Sequence, residues 1–179
     1  EQKMEIALHN RWGQFGLGEN RKNARPEIGA VHLAAGYLLS EMMGCKVEYT
    51  ENHPPQVICA HRDDLNVDVE SAFASDAFQS VQKLWDDLKK KYGYLTGDIN
   101  WGGILNLAMD LRGEDIFLDM MMAPEDTREY FTKIAGLIGR FTATMHWETK
   151  STSISVNRNV RLLDQPVFLH SECSHTMIS

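Results

Sequence analysis

Four short stretches of the chain concentrate the groups that can bind or react. Ala60–Asp64 is one strand end, with Arg62, Asp63 and Asp64, and Gly97–Gly103 carries Asp98, Asn100 and Trp101. Asn157, Arg158 and Asn159 form a third group, and His170, Glu172, Cys173 and His175 a fourth. The fourth holds four potential metal ligands within six residues. Cysteine and histidine are zinc's usual ligands, and a coordinated thiol gives up its proton. Its spacing matches no established zinc motif, and a strand continuing through Cys173 puts His170 and Glu172 on one face and Cys173 on the other. Cys173 and His175 are the candidate metal ligands. Asp98, Asn100, Trp101, Asn157, Arg158, Asn159, His170, Glu172 and His175 are the candidate substrate-binding set.

Each of these residues also has a purely structural use. Asp98 and Asn100 suit a helix cap, Asn157 and Asn159 suit turns, and Trp101 suits a core. For Cys173 as a nucleophile no separate base and orienting group can be identified, so no catalytic residue is assigned. Gly102-Gly103 has neither of the glycine spacings that cradle phosphates. The nine methionines, Met120-Met121-Met122 among them, read as core fill.

The elements that must hold these groups are legible in the chain's punctuation. Residues 1–23 are polar, with a short apolar patch at Ile6–Leu8, and read as an arm or lead-in to one domain over 24–179. Pro26 and Gly44 bracket a predicted helix whose stripe is Ile28, Val31, Ala35, Leu38 and Met42. Cys45–Thr50 and Gln56–Ala60 are predicted strands on either side of the breaker Asn52-His53-Pro54-Pro55. Ser75 caps and Gly93 stops a helix, with Phe78, Val81, Leu84, Trp85, Leu88 and Tyr92 on one face. A strand at Tyr94–Ile99, a helix at Ile104–Leu111 and a long helix from Pro124 follow, then strands at Thr152–Val156 and Pro166–His170. Alternating strands and helices predict an α/β fold with a mostly parallel sheet. Ligands in such folds sit at the carboxyl ends of the strands, where all four polar clusters fall.

Composition narrows the partners. Across 179 residues the chain is 43% hydrophobic and 24% charged, ordinary for a folded domain. A net charge of −7 excludes nucleic acid as an expected partner, because no basic surplus is present to displace counterions from phosphates. Lys89-Lys90-Lys91 falls at a helix end, where it answers the helix dipole. Three widely spaced cysteines fit reduced thiols in a cytoplasmic protein, and no apolar run approaches the roughly 20 residues of a membrane span.

Gly93–Gly103 followed by Leu107–Gly113 resembles the segment of uroporphyrinogen decarboxylases in which a Gly-Gly-Pro-Trp-like turn enters a helix ending in glycine. Phe117-Leu118-Asp119 and Pro124-Glu125 look like that family's next helix and its Pro-Glu helix start, and His170–Ser179 is similar to the block before a Ser-Pro-Glu start. The resemblance covers 56–179. It implies about the N-terminal half of a (β/α)8 TIM-type barrel, in a superfamily that holds heme-pathway decarboxylases and cobamide-dependent methyltransferases. The decarboxylases' Arg-Gln-Ala-Gly-Arg core is absent, only Arg62, Arg158 and Arg161 lie near strand ends, and Asp63 or Asp64 are the nearest matches to the catalytic aspartate. The expectation is thus a fragment of a corrinoid-linked methyltransferase, ahead of a porphyrinogen decarboxylase or a non-catalytic binding module. The resemblance implies zinc and a corrinoid in the full-length protein, and a small molecule or a corrinoid protein as substrate. The remaining edge of the sheet would be covered by a second copy, giving a homodimer, or by a missing C-terminal half.

Overall fold

A computed structural model describes residues 2–20, 26–28, 37–53, 55–97 and 99–150, with the strand pairs 153–154 and 167–168. Helix α1 (Gln2–Trp12) leads into a short 3-10 turn at Gly13–Phe15. Strand β1 (Glu27–Ile28), helix α2 (Tyr37–Met42) and strands β2 (Lys46–Glu48) and β3 (Gln56–Ile58) follow. Next come α3 (Val69–Phe73), α4 (Asp76–Tyr92), β4 (Thr96–Gly97), α5 (Ile104–Arg112), α6 (Asp115–Met122) and α7 (Pro124–Thr149), then β5 (Ser153–Ile154) and β6 (Val167–Phe168). The result is a helix-rich α/β arrangement. No helix among the described residues is long and apolar enough to cross a membrane.

Local signals placed α4 well. The Ser75 hydroxyl accepts from the Phe78 N–H at its start, and Gly93 ends it in the left-handed region at φ 81°. Phe78, Val81 and Trp85 are buried on its inner face. Leu84 departs from the expected stripe at 41% exposed. It sits about 100° around the helix from Trp85, outside the arc that the core covers.

Two other expectations are corrected. Pro26 does not open a helix: its carbonyl accepts from the Thr96 N–H at 3.1 Å, and Glu27–Ile28 pairs in parallel with Thr96–Gly97. Proline is tolerated at the first position of a strand, and burying Ile28 against β4 outweighs the local helix signal. Nor do the described strands form the one mostly parallel sheet that was expected: they make three separate two-stranded sheets. β1–β4 and β5–β6 are parallel, but β2 and β3 form an antiparallel hairpin with Lys46 opposite Ile58 and Glu48 opposite Gln56. The seven residues between Glu48 and Gln56 permit only a hairpin, since a parallel crossover takes a dozen or more.

The core is shared by α2, which packs on α4 and α5, and by α7, which packs on α5 and α6, and it includes Leu39, Trp85, Trp101, Leu107, Ile134 and Phe141. Contacts along α7 fix its direction. Glu148 reaches Lys89 at 3.0 Å, where α4 ends and β4 is about to begin. Trp101, just past β4, meets Phe141 edge-on with ring centres 6.2 Å apart. Farther toward the start of α7, Arg140 pairs with Glu70 and Lys133 bonds Asn66. Moving back along α7 from Glu148 thus leads past the carboxyl end of β4 and onward to the chain that follows β3.

Candidate functional site

Of the substrate-binding candidates, Asn100 and Trp101 lie among the described residues. Asn100 accepts the Trp101 N–H on its own side-chain oxygen at 3.0 Å, which fixes the turn out of β4. Trp101 is 1% exposed and lodged against Phe141, and its indole N–H has no partner among the described residues. Asp98, Asn157, Arg158, Asn159, His170, Glu172, Cys173 and His175 lie outside the described residues, as does the Cys173/His175 metal pair.

The described residues do gather one chemically rich cluster, at the opposite end of α5 from Trp101. The segment leaving β3 crosses the carboxyl terminus of that helix and takes up its unsatisfied carbonyls. Ala60 N–H donates to Asp110 O at 2.9 Å and Arg62 N–H to Leu111 O at 2.8 Å. Between them, His61 adopts a left-handed φ of 47° and stays exposed. Two thiols join in, Cys45 Sγ donating to Asp110 O at 3.3 Å and Cys59 Sγ to Met109 O at 3.4 Å. Ser40 Oγ, from α2, donates to the Asp110 carboxylate at 2.5 Å. Gly113 (φ 76°) closes the helix against this segment, and a Cβ there would come within 3.3 Å of both Cys59 Sγ and His61 Nδ1.

Both arginines here are committed to the fold. Arg62 donates to Met43 O and to Asn66 O. Arg112 grips Asp119 through Nε at 2.8 Å and Nη2 at 3.4 Å, and donates Nη1 to Arg62 O at 2.8 Å. The forked geometry explains why arginine stands there: lysine could not make all three bonds.

Burial sets the protonation states. Desolvation raises the Asp110 carboxyl above the ordinary 3.8, with the Ser40 hydroxyl pulling the other way. Burial, reinforced by the Asp110 charge, pushes the Cys45 thiol up to about 12, so it is a proton donor at neutral pH rather than a nucleophile. Tyr130 on α7 is wholly buried, its hydroxyl has no partner among the described residues, and burial likewise holds its phenol protonated. The accessible thiol of the cluster is Cys59, which is half-buried.

Of this cluster, Ala60–Asp64 was visible in the sequence as a strand end. Ser40, Cys45, Asp110, Arg112 and Tyr130 were not singled out. The opposition of Cys45 and Cys59 follows from the observed register, whose centre falls on Asn52, and the Asn52–Pro55 breaker by itself does not set it. Met120, Pro124 and Phe131 line part of a separate apolar groove of about 360 Å³, beside Ile104. That groove lacks the shifted acids and thiols, so the chemistry is assigned to the α5 terminus instead. Among the described residues no three His, Cys, Asp or Glu side chains converge as metal ligands.

No family model and no curated protein matches the chain. Its backbone is similar to that of a methyltransferase from Methanosarcina mazei, with a TM-score of 0.54 and 15% identity over 82% of this chain. The match spans 42% of that protein, so this chain covers less than half of its length. At this identity the likeness is one of fold: the chain has the fold of part of that methyltransferase.

Proposed function

We propose that the chain is the N-terminal part of a methyltransferase built on a decarboxylase-like (β/α)8 barrel, and that its methyl transfer is linked to a corrinoid. The observation that carries this reading is the backbone likeness to the Methanosarcina mazei methyltransferase over 82% of the chain. The parallel pairings of β1 with β4 and of β5 with β6, separated by helices, support a barrel segment. The arginines favour methyl transfer over porphyrinogen decarboxylation: Arg62 and Arg112 are spent on backbone oxygens and Asp119, leaving them unsuited to a substrate with many carboxylates.

The described residues do not make a zinc site. In this reading the metal and corrinoid contacts come from Cys173, His175 or the remainder of the barrel, and the described residues form one wall of the pocket. The exposed side chains of Leu118, Met121 and Met122 are then covered by the rest of the barrel or by a second copy. The setting is cytoplasmic, and the substrate is a small methylated molecule or a methylated corrinoid protein.

The test uses the full-length protein with methylcobalamin and a thiol acceptor, following loss of the methyl–cobalt absorbance and formation of the thioether. Catalysed transfer supports the reading. Carbon dioxide release from a porphyrinogen with no methyl transfer would overturn it.

A further inference from the structure

Cys45 and Cys59 face each other across the β2–β3 hairpin. The observed register pairs Lys46 with Ile58, Val47 with Val57 and Glu48 with Gln56. One step further along the same ladder sets Cys45 opposite Cys59. Directly opposed residues of an antiparallel pair point to the same face, with Cα atoms about 4.5–5.5 Å apart. That spacing lies inside the roughly 4.4–6.8 Å that a disulfide spans. The side chains agree with the register, since the two thiols donate to successive carbonyls of α5, Asp110 O and Met109 O. Both cysteines are free in this structure.

We propose that Cys45 and Cys59 form a reversible cross-strand disulfide when the protein meets a low-molecular-weight disulfide oxidant of the glutathione class. The half-buried Cys59 reacts first: its thiolate attacks one sulfur of the oxidant, whose S–S bond breaks and releases one thiol. Cys45 then loses its proton to solvent and attacks the Cys59 sulfur, expelling the second thiol. Two protein thiols are oxidised to one disulfide, and one small disulfide is reduced to two thiols. Cys45 is 3% exposed, so it is the resolving partner and does not meet the oxidant itself. Its raised pKa makes the second step the slow one, speeding up as pH rises. Closure removes both S–H donors from the last turn of α5 and staples the hairpin that carries the His61–Asp64 segment. The device is independent of methyl transfer and stands or falls without it.

The full chain is incubated with oxidised glutathione, then alkylated, digested without reductant and mapped by mass spectrometry. The expected result is a Cys45–Cys59 linked peptide, a monomer lighter by two hydrogens, an alkylated Cys173, and full reversal by dithiothreitol. Cys45→Ser should stop at a lasting glutathione adduct on Cys59, and Cys59→Ser should leave Cys45 unmodified. Should either variant fail to fold, the map of the unaltered chain decides alone. A Cys59–Cys173 link, an intermolecular link, a lasting glutathione adduct on unaltered protein, or no reaction would each overturn the proposal.

Discussion

Replacing Trp85 with alanine tests how the core is organised around α4. Trp85 is 2% exposed, and its ring stands nearly perpendicular to Phe78 with centres 6.0 Å apart. Phe78 in turn meets Phe73 at 4.7 Å, so the indole is one end of an aromatic row running from α3 into α4. Removing a buried tryptophan costs about 3–5 kcal/mol, to which a lost aromatic pair adds about 0.5–1.5 kcal/mol. One term opposes this: the Trp85 indole N–H is buried without a partner among the described residues, and deleting it relieves a penalty of about 1–3 kcal/mol. The net expectation for Trp85→Ala is a loss of about 3 kcal/mol. Trp85→Phe keeps most of the ring contact and removes the orphaned donor, so its loss should stay below about 1.5 kcal/mol. Leu84→Ala, one position away and 41% exposed, should lose well under 1 kcal/mol. Urea unfolding followed by far-UV circular dichroism gives all three values if the slopes with denaturant are unchanged. A loss under about 1 kcal/mol for Trp85→Ala, or equal losses at positions 84 and 85, would show that the buried face of α4 is misassigned.

Three further outcomes follow from the α5 terminus. Asp110 is raised in the folded state, so folding favours its protonated form, and the stability it contributes at low pH is lost as pH rises from about 3.8 through its folded pKa. Asp110→Asn keeps an acceptor for Ser40 and should flatten the stability–pH curve in that window; an unchanged slope by urea titration would count against the burial argument. Arg112→Lys retains the charge but loses the fork onto Asp119 and the bond to Arg62 O, and should cost about 1–2 kcal/mol, read as a lower urea midpoint. Gly113→Ala puts a Cβ at 3.3 Å from Cys59 Sγ and His61 Nδ1 in a backbone conformation, φ 76° and ψ −156°, essentially reserved for glycine, and should lower the melting temperature, with about 1–3 kcal/mol from the backbone alone. A neutral alanine there would mean that the Cys59–His61 segment does not close against α5.

The elements that punctuate themselves were legible from the chain alone. Ser75 and Gly93 mark the ends of α4 because a side-chain acceptor and a left-handed residue satisfy the groups a helix leaves open. Pro124 marks the start of α7 because its missing N–H is not needed there. The hairpin strands flank a turn that proline and asparagine announce. What tertiary structure decided is everything that rests on partners distant in sequence. Pro26 carries the same start signal as Pro124, yet the chain after it became a strand because Thr96 and Gly97 lay ready to pair with it. Leu84 and Trp85 are equally apolar, and only the position of the neighbouring helices determined which is buried. Ser40 meets Asp110 across 70 residues and Arg112 holds the Arg62 carbonyl across 50, contacts that no local spacing encodes. The polar cluster at the end of α5 exists because that helix ends where the chain leaving β3 crosses it, and its last carbonyls had to find donors.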